Sequence, residues 1–193
     1  MNQNPADHTP VIAPLADDDV NRRQADLLAS FKESGRDFNV FRTMVQHPDA
    51  MEAFLTWGSY ILSDRNTLPA RHRELVILRT GAVRDCAYEF LRHAIIARRI
   101  GLDDQAITAI FHGDYGGFNE AERLCLGAAD ELLEDGLVHR DTFKVLEEAF
   151  GLSSAIDLVW TVGQYAQVCM FLKTAETPPD PDIADDKLAG LFA

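Results

Sequence analysis

Punctuation constrains this chain more than any other feature. Helix-stopping residues return at about one helix length: Ser34-Gly35, Pro48, Pro69, Gly101, Gly113, Gly136 and Gly151. The stretches between them carry apolar residues at helical spacing. No stretch shows the period-two alternation of a half-buried strand. Leu27, Leu28 and Phe31 share one face of a first helix that starts near Val20. Phe38 to Gln46 reads as a short helix that stops before Pro48, because a proline restricts the residue ahead of it. Pro48 itself suits the first turn of the next helix, Asp49 to Leu62. Further helices are expected over 70–83, from an Asp85 cap to Ile100, from Leu102 to His112, and over 120–134 behind an Asn119 cap. Two more run from His139 to Phe150 and from Ser153 or Ser154 to Thr174. The expectation is an all-α bundle with short connections, one domain over residues 20–175. Residues 1–19 and 176–193, rich in Pro and Asp, are expected to be mobile tails.

With 193 residues and 47% hydrophobic content, the chain can bury one sizeable core. A net charge of −13 argues against nucleic acid as a partner, because phosphate binding needs a basic face. No apolar run approaches the roughly 20 residues of a membrane span. The opening MNQNPADHTPVIAPLADDD lacks the basic start and apolar stretch of a secretory leader, so a cytoplasmic location is expected. Charge is uneven, however. Residues 71–99 hold seven arginines (Arg71, Arg73, Arg79, Arg84, Arg92, Arg98, Arg99) against three acids. Such a segment either holds an anionic substrate or forms ion pairs. The three cysteines, Cys86, Cys125 and Cys169, are far apart and show neither a disulfide framework nor zinc spacing. Cys125 and Cys169 lie in apolar runs and read as packing residues on other helices. Cys86 is therefore expected to have no disulfide partner within the chain. No histidine has metal-ligand spacing, so no metal is assigned.

The stretch that carries chemistry is LPARHRELVILRTGAVRDCAYEFLRHAIIARRIGLDDQAITAI, residues 68–110. Cys86, Glu89 and His93 fall at i, i+3 and i+7, which puts thiol, carboxylate and imidazole within about a third of one helix circumference. Glu74 lies on the preceding helix, and a tight turn at Arg84-Asp85 can fold it back onto the same cluster. A carboxylate and an imidazole enclosed together shift each other's proton affinities and can move protons near neutral pH. The plainer alternative is a core histidine with the two glutamates paired to arginines. Cys86 sits in the first turn of its helix, where the dipole and Arg84 favour a thiolate and Asp85 and Glu89 oppose it. Tyr88 can either reach a pocket or pack.

The segment ELVILR, followed by YEFLRHAIIARRIGLDDQAITAI, resembles the signature of the carboxymuconolactone decarboxylase family, which shares its fold with alkyl hydroperoxidase D. The pattern is a Glu on one helix, YEW or YEF on the next, a His four residues after that Glu, then small and apolar residues before Gly-Leu. Alkyl hydroperoxidase D carries Cys-x-x-Cys-x-x-x-His on the same helix pair. Here Cys86 and His93 match the first thiol and the imidazole, Glu74 matches the relay glutamate, and Glu89 replaces the second thiol.

The resemblance implies a cofactor-independent carbon–carbon lyase. It would decarboxylate, or transfer a proton on, a small carboxylated lactone or related acid. His93 would move the proton, Glu74 and Glu89 would orient it, and Arg79 or Arg84 would bind the carboxylate, with Tyr88 nearby. A hydroperoxide reductase of peroxiredoxin type, using Cys86 and an external thiol, is the alternative; a non-catalytic helical module is the third. A homo-oligomer, trimer or hexamer, is implied by the family and by the long apolar helix from Ser154, which carries Trp160, Tyr165, Met170 and Phe171.

Overall fold

The structure, a computed structural model, describes residues 9–193. The first eight positions of the expected N-terminal tail lie outside the described residues. Among the described residues the regular structure is ten α-helices and two short 3-10 segments, with no strand. The helices are α1 (Arg22–Glu33), α2 (Asn39–Met44), α3 (Pro48–Leu62), α4 (Ala70–Val83), α5 (Ala87–Arg99), α6 (Asp104–His112), α7 (Glu120–Glu134), α8 (Arg140–Phe150), α9 (Leu152–Ala175) and α10 (Pro181–Ala184).

Local chemistry explains most boundaries. Asn21 and Asn119 each form a reciprocal capping box, with Gln24 and Glu122 respectively. Asp103 caps α6 through the Ala106 N–H. Gly113 and Gly151 take positive φ where α6 and α8 end. One cap differs from expectation. Asp85 does not cap α5 but occupies the left-handed region at φ 50°, and Cys86 is the N-cap residue. The left-handed step is needed because α4 turns back at once, with the Cys86 N–H bonded to the Gly81 carbonyl at 2.9 Å.

Helix α4 is the axis of the fold. It packs against α5, α6, α7 and α9, and every residue from Arg73 to Leu78 is buried. Gly81 lets α5 close in: a Cβ there would meet the Phe90 backbone nitrogen at 3.1 Å. One apolar cluster forms around Leu75, Leu78, Phe90, Ala94, Ile107 and Ile110. A second, around Val76, Cys125, Leu146 and Leu158, lies between α4, α7, α8 and α9. Together they remove the apolar sides of these helices from water, which is the main force holding the bundle.

Two expectations are corrected here. Helix α9 is long and apolar enough to cross a membrane by length and composition, but most of that stretch is buried inside the fold. It is the continuous run of core contacts that makes it so apolar. The C-terminal segment, expected to be mobile, is docked. Asp180 and Asp182 pair with Arg92, and Asp186 pairs with Arg98. Ile183 is fully buried, and Phe192 meets Phe90 and Phe111 edge-on at 5.4 and 5.0 Å. Residues 9–19 also lie on the body, with Ile12 N–H bonded to the Ala175 carbonyl and Leu15 N–H to the Arg42 carbonyl. Acidic residues in both segments find cations on the body, which a composition rich in Pro and Asp does not reveal.

Candidate active site

The turn between α4 and α5 brings Glu74 over His93. His93 Nδ1 lies 2.7 Å from Glu74 Oε2, and Nε2 lies 3.1 Å from Glu89 Oε1. All three side chains are buried. Burial alone would favour the neutral ring. The carboxylates of Glu74 and Glu89 outweigh it and raise the imidazole to about 10, so His93 is a cation at neutral pH, with both nitrogens donating. Two carboxyl groups face one imidazole, with the buried Arg73 acting on the same surroundings through Tyr165.

Cys86 begins the same stripe and is buried, at 2% exposure. The neighbouring Cys169 side chain favours its thiolate; burial opposes this, the Glu89 backbone assists, and the net direction is downward. Cys169 moves the other way, raised by the Cys86 side chain and by its own burial. The sequence reading of the thiols as mutually remote is thus corrected. Positions 86 and 169 are distant along the chain, but α9 lies along the start of α5 and brings them together. The contact is one of three at helical spacing on α9. Tyr165 meets the His93 ring edge-on at 4.8 Å, Cys169 meets Cys86, and Lys173 Nζ donates to the Arg84 carbonyl at 3.0 Å and approaches Asp85 at 3.4 Å. Residues four apart share a helix face, so the sequence puts Tyr165, Cys169 and Lys173 in one row without showing what that row meets. Cys125 belongs to the second core cluster, and burial pushes its thiol up to about 12.

The arginine-rich segment resolves mainly into ion pairs. Arg71 pairs with Glu122, Arg92 with Asp180 and Asp182, and Arg98 with Asp104 and Asp186. Arg79 is held by Asp130 at 2.5 Å and donates to the carbonyls of Ile110 and Phe111, so it serves the α4–α6–α7 contact. Arg84 donates to the Leu133 carbonyl at 3.4 Å, while its buried Nε has no partner; its charge acts on Cys169. Tyr88 accepts from the Val40 N–H at 3.1 Å and donates to Asp180, which ties it to the C-terminal segment. Glu74, Glu89, His93 and Cys86 are therefore brought together; Arg79 and Tyr88 are engaged in other contacts.

Residues 48–131 match the model of the carboxymuconolactone decarboxylase family. The match spans less than half of the chain. The matched stretch holds Glu74, Cys86, Glu89 and His93, while Cys169 lies beyond it. Solved structures with the same fold extend over nearly the whole chain. A peroxidase-related protein from Ralstonia eutropha JMP134, described as an alkylhydroperoxidase AhpD core, is 20% identical with a TM-score of 0.76, covering 89% of this chain and 94% of its own. The debrominase Bmp8 is 17% identical with a TM-score of 0.74, covering 95% and 98%. A peroxidase-related protein from Silicibacter sp. TM1040 is 15% identical with a TM-score of 0.78, covering 91% and 95%. At these identities the likeness is one of fold. No curated protein matches the chain.

Proposed function

We propose that this protein reduces hydroperoxides through Cys86, with Glu74, His93 and Glu89 as its proton relay and an external dithiol as reductant. The observation that carries this reading is the buried His93 imidazole held by two carboxyl groups on the face of α5 that begins at Cys86, whose sulfur is inclined toward its thiolate. The thiolate is the nucleophilic form. It attacks the distal peroxide oxygen, the O–O bond breaks, and the departing alkoxide takes a proton from His93. The products are a Cys86 sulfenic acid and an alcohol. Proton delivery at that moment is the part His93 plays, and Glu74 holds the ring in place for it. The peroxidase-related descriptions of two neighbours accord with this chemistry, as does a cysteine-to-alanine form of Bmp8 in complex with 2,3,4-tribromopyrrole. Consumption of tert-butyl hydroperoxide with dithiothreitol, run on wild type and Cys86→Ser, tests the reading. A folded Cys86→Ser protein that retains wild-type turnover overturns it.

A second reading, carbon–carbon lyase chemistry on a small carboxylated acid, draws on a different observation. Arg73 is buried, its Nε has no hydrogen-bond partner, and its charge acts on Tyr165 next to His93. A carboxylate at that cation and a proton from His93 would serve decarboxylation. This reading requires activity that survives Cys86→Ser and vanishes in His93→Ala. Either reaction is compatible with self-association, which the exposed Leu152, Ile156, Trp160 and Met170 of α9 support.

A further inference from the structure

The second thiol of the alkyl hydroperoxidase D pattern, three residues after the first, is Glu89 in this chain. A peroxidatic thiol without a partner is exposed to over-oxidation, since a sulfenic acid that meets no thiol proceeds to sulfinic acid. The fold supplies a partner from elsewhere. Cys169 of α9 lies in the same buried cluster as Cys86 and is the neighbouring side chain that acts most strongly on its thiol. The register that puts it there is pinned on both sides, by Tyr165 against His93 one turn before and by Lys173 on the Arg84 carbonyl one turn after. Cys86 is the N-cap residue of α5, where its carbonyl accepts from the Phe90 N–H at 3.0 Å. The third thiol, Cys125, sits in the other cluster, between α4, α7 and α9.

We propose that Cys169 is the resolving thiol for Cys86, closing a disulfide between the start of α5 and the C-terminal third of α9. The inference rests on the hydroperoxidase reading for the oxidising step, and the pairing itself rests on the contact. The Cys169 sulfur attacks the sulfur of the Cys86 sulfenic acid, the S–O bond breaks, and the Cys169 proton leaves with hydroxide as water. The dithiol then reduces the disulfide in two exchanges and restores both thiols. Bridging requires Cα atoms within about 7 Å, a separation consistent with two contacting thiols. The asymmetry of the pair suits its order of events: one sulfur is prepared to attack peroxide while the other keeps its proton until a sulfenic acid appears.

Peptide mapping of the full-length protein after alkylation of free thiols tests this with two oxidants. One equivalent of tert-butyl hydroperoxide should yield a Cys86–Cys169 peptide, with Cys125 alkylated. Diamide, which joins neighbouring thiols without a peroxidatic step, should yield the same peptide. Cys169→Ser should lose most dithiol-driven turnover and accumulate a Cys86 sulfenic acid that dimedone traps, and Cys125→Ala should still form the bridge. If neither oxidant produces the bridge in wild type, the inference is overturned, whatever the variants do. If Cys86→Ser abolishes turnover while Cys169→Ser turns over at the wild-type rate, the inference is overturned and the hydroperoxidase reading stands. If diamide forms the bridge but tert-butyl hydroperoxide is not consumed, the pairing stands and the hydroperoxidase reading falls.

Discussion

Two neighbouring stripes of α5 bury ionisable groups, and they do so for opposite ends. One stripe presents Tyr88 and Arg92 to Asp180 and Asp182 of the C-terminal segment. The other presents Glu89 and His93, with Cys86 ahead of them, to Glu74 and Cys169. In the first, a permanent guanidinium answers carboxylates and Phe38 stacks on it at 3.7 Å. No proton there can leave at physiological pH, and the arrangement fastens one segment to another. In the second, a titratable ring sits between two acids, beside a thiol whose proton is loosened by its neighbour. Buried charge of itself indicates nothing about chemistry. What separates the two stripes is whether a proton can move.

That contrast can be broken most sharply at Cys86. Cys86→Ser should leave a folded protein whose dithiol-dependent hydroperoxide consumption is gone, measured against an unchanged melting curve. Replacing the proton donor comes next. His93→Ala should lower turnover by about 10²–10⁴-fold, and Glu74→Gln should act in the same direction and less severely. If His93→Ala instead keeps full activity and only melts earlier, the second stripe is as structural as the first.

The first stripe should show the converse. Asp180→Ala removes the acid shared by Tyr88 and Arg92, leaving buried partners uncompensated, and should cost about 3 kcal/mol in denaturant unfolding. Its activity per folded molecule should be that of wild type. A smaller effect is expected from pH. The folded-state value of His93, raised to about 10, lies above its unfolded value near 6.5. Its contribution to stability is therefore complete below pH 6.5 and is lost as pH rises towards 10. Melting temperatures of wild type and His93→Gln should converge over that window. The smallest effect belongs to Arg23→Ala, which breaks the exposed pairs with Asp49 and Glu52 and should leave the unfolding midpoint in denaturant almost unchanged.

The sequence made one of these stripes readable and left the other obscure, for reasons of distance along the chain. Cys86, Glu89 and His93 share a face because helical geometry is local, and Glu74 joins them across a turn too short to go elsewhere. The helices were readable from Pro48, Gly101, Gly113 and Gly151 for the same reason. Cys169 was not, because the sliding of α9 against α5 is decided by every core contact between them. The ties of Asp180, Asp182 and Asp186 to Arg92 and Arg98 were hidden similarly: acidic residues in a proline-rich tail look solvated until the cations they meet are placed. The Asp85 turn was misjudged because an aspartate ahead of a helix is usually a cap, whereas here the immediate reversal of α4 requires a left-handed residue.

Gly81 gives the α4–α5 crossing a consequence of another sort. The two backbones touch where it lacks a side chain, and Glu74 lies seven residues, or about 10 Å, further along the same rigid rod. The crossing is thus a fulcrum. One added carbon atom at Gly81 would tilt the rod and carry the far carboxylate away from the imidazole, leaving every reacting group chemically unaltered. The spacing between Glu74 and His93 is set by an atom that is not there, and it can be tuned from outside the pair a few tenths of an ångström at a time.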